Sequence, residues 1–93
     1  MKIELSRIGL LEKFLPPREW VDVPGPVTLR DFLKWLERVH GSDLITEILA
    51  GEELKSYVTL LLNGKSTRIL PRGLDTYIED GDRAAICLMV DGG

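Results

Sequence analysis

Thr28-Leu-Arg-Asp-Phe-Leu-Lys-Trp-Leu-Glu-Arg-Val-His-Gly41 is the stretch that sets the fold. At about 100° per residue, Leu29, Phe32, Leu33, Trp35, Leu36, Val39 and His40 share one broad face. Arg30, Asp31, Lys34, Glu37 and Arg38 take the other. This is an amphipathic helix with one packed face and one wet face. Thr28 suits the N-cap, and Asp31, three residues on, makes an acidic variant of the capping box that also suits the positive end of the helix dipole. Gly41 is a C-terminal stop. His40, in the last turn, reads as a cap at the negative helix end rather than as a catalytic base.

Upstream, Lys2 to Ile8 alternates, with Ile3 and Leu5 on one side and Lys2, Glu4 and Ser6 on the other, the period of a half-buried strand. Gly9 to Pro17 is an apolar connecting loop with room for one helical turn before Pro16-Pro17 ends it. Glu19 to Val23 alternates again, Val21 and Val23 inward and Trp20 and Asp22 opposite, until Pro24-Gly-Pro26 stops it. The two strands form a hairpin-like pair.

Downstream, Ser42 caps a second, shorter helix with Leu44, Ile45, Ile48 and Leu49 as its apolar stripe, closed by Gly51. Glu52 to Ser56 reads as loop. Tyr57 to Leu62 is a β-prone apolar run of the kind expected of a central strand buried on both faces. Asn63-Gly64 is a strong hairpin signal, which predicts an antiparallel return over Lys65 to Leu70 until Pro71 and Gly73. Leu74 to Glu79 connects, Asp80-Gly-Asp82 turns, and Arg83 to Val90 is the last strand. The predicted order is β-β-α-(α)-β-β-β. An antiparallel pair, one long helix and further strands make an α+β domain, a β-grasp as in ubiquitin, with a mixed sheet and the main helix on one face. Ile3, Leu5, Val21, Leu29, Phe32, Leu33, Leu36, Leu60, Ile86 and Leu88 form the predicted core.

The 93 residues suffice for one domain, assigned to 1–90, with 91–93 as a flexible tail. Hydrophobic residues at 44% and charged residues at 29% exclude the composition of a disordered chain. Twelve Lys and Arg against fifteen Asp and Glu give a net charge of −3, which argues against nucleic acid as a partner. The alternating N-terminus is unlike a signal peptide, and no run is long enough to span a bilayer, so a cytoplasmic protein without a membrane partner is expected. One cysteine, Cys87, excludes an internal disulfide and a cysteine-ligated metal site built by this chain alone. With His40 as the one histidine, no metal site and no histidine-based catalysis is expected.

The last strand runs almost into Gly92-Gly93. An apolar strand followed by residues without side chains sets the α-carboxylate on a short arm beyond a rigid body, as suits a carboxylate that itself reacts. Cys87 alternates with Ala85 and Met89, opposite Ala84, Ile86, Leu88 and Val90. It reads as a small apolar strand residue, since a reactive thiol needs an electropositive setting that the sequence does not display. Ala85, Cys87 and Met89 are expected to form an apolar strip leading to the tail, on the sheet face away from the helix, where a partner docks.

Asp80-Gly-Asp82, a strand and then Gly92-Gly93 resemble the sulfur-carrier proteins of the ubiquitin-like superfamily, and most closely the small subunit of molybdopterin synthase. Thr28-Leu-Arg-Asp-Phe-Leu33 and Leu62-Asn-Gly64 are similar to that family's pattern as well. The resemblance is specific in the C-terminal third and looser before it. The chain departs from the pattern in Leu88-Met89, where the family usually has prolines, and in the loop Gly9 to Pro17. The resemblance implies a carrier, not an enzyme. An E1-like adenylating enzyme would use ATP to activate the Gly93 carboxylate, which becomes a thiocarboxylate and gives its sulfur to the molybdopterin synthase large subunit or another acceptor. Glycine at 92 and 93 would let the backbone thread a narrow channel to the nucleotide, where a Cβ would hinder it. No cofactor would be bound by this chain. Two other readings share the tail: a ubiquitin-like modifier joined to lysines through Gly93, and a sulfur carrier for tRNA thiolation or thiamine synthesis. A third is a β-grasp binding module whose glycines are incidental.

Overall fold

The computed structural model describes residues 1–8, 18–41 and 46–88. Strand β1 is Lys2–Ile8, β2 is Arg18–Asp22, helix α1 is Leu29–His40, β5 is Val58–Leu62 and β7 is Arg83–Leu88. Three short strands complete the set: β3 Leu49–Ala50, β4 Glu53–Leu54 and β6 Lys65–Ser66. The main sheet has the order β2-β1-β7-β5-β6, with β1 and β7 parallel and the other neighbours antiparallel. The expected mixed sheet with one main helix is therefore present. The strand closest to the C-terminus, β7, is its central member.

The helix forms where the capping chemistry says it should. Thr28 is extended and its Oγ1 accepts from the Asp31 amide at 3.2 Å, while the amide of Gly41, at φ 102°, donates to the Glu37 carbonyl at 2.8 Å. Leu29, Phe32, Leu33 and Leu36 are fully buried against Ile3, Leu5, Leu60 and Ile86 of the sheet. Phe32 stacks on Trp35 at 6.2 Å between centroids. Val39 departs from the expected packed face and is 55% exposed. In β2, Val21 is only half-buried, and Val23, just past the strand, is the valine that is fully buried.

The chain from 46 to 70 differs most from expectation. Residues 46–48 are helical and Ile48 is buried, but Leu49 leaves the helix to pair with Leu54, and Ala50 with Glu53. A small hairpin thus replaces the end of the expected second helix and the start of the expected loop. Its turn is clamped to the helix start by Arg30, which bonds the Glu52 carbonyl, lies 4.0 Å from Glu53 and donates to Asp75 at 3.2 Å. Strand β5 buries Val58, Leu60 and Leu62 but leaves Thr59 and Leu61 half-buried, so only one face enters the core, and the strand lies beside the central one. The Asn63-Gly64 turn forms with φ of 52° and 87°, the left-handed pair that a tight hairpin requires. Its return strand ends after two residues, because Ser66 Oγ captures the Arg68 amide and starts a 3₁₀ turn at Thr67–Ile69.

Asp80-Gly-Asp82 is a turn that also sets register. The Lys2 amide donates to Asp80 Oδ1 at 2.7 Å, the Gly81 amide to the Lys2 carbonyl at 2.7 Å, and the Glu4 amide to the Asp82 carbonyl at 3.0 Å. These bonds align β7 with β1, Glu4 beside Arg83 and Leu5 beside Ala84. The loop expected at Gly9 to Pro17 and the cap expected at Ser42 lie outside the described residues, as does the division between residue 90 and the tail. Among the described residues, no helix is long and apolar enough to cross a membrane.

Candidate functional site

Because side chains alternate along a strand, β7 serves two surfaces. Ala84, Ile86 and Leu88 join the core under the helix, and Ala85 and Cys87 face the other way. On that outer face, Ala85 lies between Ser6 of β1 and Leu61 of β5, all half-buried. Cys87 is opposite Thr59. Ala85 thus stands on the expected strip. Cys87, though on the same face, is only 7% exposed, so its thiol is covered and not displayed. Met89, Gly92 and Gly93 lie outside the described residues.

Burial pushes the Cys87 thiol up from its ordinary pKa, because the thiolate is disfavoured away from water. A raised thiol is the opposite of what nucleophilic or persulfide chemistry needs. Among the described residues, no three of His, Cys, Asp or Glu are grouped to hold a metal.

Where the described part of β7 ends, Leu88 is paired with Val58. Tyr57, one residue earlier, is 40% exposed, and the Lys55 ammonium lies 5.9 Å from its ring centroid. Arg68 is fixed nearby, donating to the Lys55 carbonyl at 3.1 Å and lying 3.5 Å from Thr59 Oγ1. Sequence reading did not single out Leu61, Thr59, Tyr57 or Arg68 for this face. Alternation within Tyr57 to Leu62 carries the signal for Thr59 and Leu61, but the continuous apolar run hides it. Arg68 reaches the face through the 3₁₀ turn, which has no plain mark in the sequence.

No protein-family model matches the chain, and no curated protein matches its sequence. Solved structures do. The solution structure of the Haloferax volcanii HVO 2177 protein shares 26% identity over the whole of this chain and 87% of that one, with a TM-score of 0.82. The crystal structure of H. volcanii small archaeal modifier protein 1 shares 25% over 96% and 98% of the two chains, at a TM-score of 0.74. A putative molybdopterin converting factor, subunit 1, from Pyrococcus furiosus shares 18% over 96% and 98%, at 0.72. A small archaeal modifier protein and a molybdopterin converting factor subunit thus stand among the structural neighbours, in keeping with the resemblance read from the sequence. At these identities the likeness establishes the fold: the chain has the ubiquitin-like β-grasp architecture.

Proposed function

We propose that the chain is a sulfur carrier whose Gly93 carboxylate is the reacting group, and that it serves molybdopterin synthesis for a molybdenum or tungsten cofactor. The observation that carries the reading is that the central strand of a β-grasp sheet leads, five residues past Leu88, to Gly92-Gly93. A carboxylate is a poor acyl donor until one oxygen becomes a good leaving group. In the proposed sequence an E1-like partner lets a Gly93 oxygen attack the α-phosphorus of ATP, releasing pyrophosphate and leaving an acyl adenylate. A hydrosulfide equivalent then attacks the carbonyl carbon, the bond to AMP breaks, and a thiocarboxylate remains. The chain itself supplies the rigid body, the reach and the docking face. The partner supplies the nucleotide and every acid and base.

The strip of Ala85, Cys87 and Met89 enters this proposal as the middle of the docking face, with Leu61 beside Ala85. Covered Cys87 contributes packing there and not a sulfur. A second reading, a modifier joined to lysines through Gly93, is favoured by the higher identity to the small archaeal modifier protein than to the molybdopterin converting factor. Reconstitution separates the two. With activating enzyme, ATP and a sulfur donor, and then a molybdopterin synthase large subunit with its precursor, the first reading predicts loss of the thiocarboxylate as sulfurated product appears. Lysine-linked conjugates without sulfurated product would establish the second.

A further inference from the structure

We propose that the outer edge of β2 pairs with the same edge of a second copy of this chain, joining two five-stranded sheets into one across a twofold axis at Trp20. In the described sheet, β2 is an end strand, with β1 on its inner side alone. The direction of its backbone groups follows from one end of the pair. Met1 and Val23 exchange two bonds, from the Met1 nitrogen to the Val23 carbonyl at 2.9 Å and from the Val23 amide to the Met1 carbonyl at 2.8 Å. Antiparallel pairs alternate between bonded and non-bonded positions. Val23, Val21 and Glu19 therefore spend their backbone groups on β1, and those of Arg18, Trp20 and Asp22 point away from the sheet.

Those three residues form a self-complementary set. Centring two antiparallel copies on Trp20 sets Trp20 opposite Trp20, and Arg18 opposite Asp22 on both sides of the axis. All three positions then meet as bonded pairs. Moving the axis to residue 19 or 21 shortens the overlap and sets Arg18 or Asp22 against the indole. Edge strands that resist pairing do so with like charges, proline or a bulge, whereas here opposite charges meet twice. All three side chains lie on one exposed face, and Trp20 is 55% exposed, a large apolar group that gains from a cover. Asp22 has the Met1 ammonium 3.5 Å away and 76% of its side chain exposed, which leaves it open to a second cation.

The pairing suits a chain that must keep β7 accessible. Two strands separate the axis from each β7, so the β7 strands of the pair lie roughly 24 Å apart at about 4.8 Å per step, and they run in opposite directions. A five-residue edge belongs to the small, transient class of interfaces, so the dimer forms at high concentration.

Sedimentation of the whole chain from micromolar to millimolar concentration tests this. A concentration-dependent dimer is expected, weakened about tenfold by Arg18→Asp or by Asp22→Arg and restored by the two together. In a Cys87→Ala background, Trp20→Cys should oxidise to a disulfide dimer, because bonded antiparallel partners are about 5.5 Å apart at Cα, within disulfide reach. Arg18→Cys should not, since the two copies of residue 18 would be separated by about four residues of strand, roughly 13 Å. A monomer at every concentration would overturn the proposal. So would a dimer indifferent to the charge exchanges, or equal cross-linking at residues 18 and 20.

Discussion

Asn63 and Arg83 hold each other from both sides: the Asn63 amide donates to the Arg83 carbonyl at 2.8 Å, and the Arg83 amide donates to Asn63 Oδ1 at 2.9 Å. The same side chain donates from Nδ2 to Asp82 Oδ1 at 3.0 Å. One turn residue therefore ties the β5–β6 hairpin to the start of the strand that carries the C-terminus. Asn63→Ala removes two side-chain bonds and puts a less tolerant residue at φ 52°. A loss of about 1–2 kcal/mol is expected, lowering the melting temperature by about 4–16 °C. An unchanged melting temperature would show that the turn does not hold β7.

Phe32 is fully buried between helix and sheet. Its truncation to alanine should cost about 3–5 kcal/mol, a large share of the stability of a domain this size. Chemical denaturation of Phe32→Ala should give a nearly unfolded chain or a midpoint far below the parent.

Burial of the Cys87 thiol is measurable by alkylation against pH. The rate should rise with a midpoint above that of a free thiol, because only the thiolate reacts. The folded pKa is raised, so the thiol's contribution to stability is full below the ordinary thiol range. It is lost as pH rises through that range toward the folded value. A midpoint below that of a free thiol would give Cys87 the activated character that its burial opposes.

Most of this fold is legible in the sequence, for physical reasons that differ by element. Strand β1 has the expected bounds of Lys2 to Ile8 because period-2 alternation is unambiguous when one face meets a core. The helix is legible because Thr28 and Gly41 mark both its ends. The β3–β4 hairpin is not, because two-residue strands have no period and Leu49 fits a helical stripe equally well. The return strand after Asn63-Gly64 is cut short by the Ser66 hydroxyl, a local capture that outcompetes the ladder. Val39 follows the helical period, yet its face of the last turn is left exposed. At the site, Ala85 is legible from alternation, whereas the reach of Arg68 depends on neighbours distant in the chain.

Leu61 tests the docking face. It is half-buried on the outer surface beside Ala85, where an activating enzyme would rest. Leu61→Glu should weaken binding to that enzyme at least tenfold, as for a central interface contact, while circular dichroism stays that of the parent. Equal binding by the variant would put the docking surface elsewhere.

Removal of Gly93 tests the central claim most directly. One residue of extended chain reaches about 3.5 Å, and misplacement by about 1 Å already costs a factor of about 100 where positioning governs the rate. Intact-mass analysis after incubation with the activating enzyme, ATP and a sulfur donor should find one oxygen replaced by sulfur on the full chain and none on the shortened one, at equal melting temperature. Equal thiocarboxylate formation and equal lysine conjugation by the two chains would contradict the account and leave a β-grasp binding module in its place.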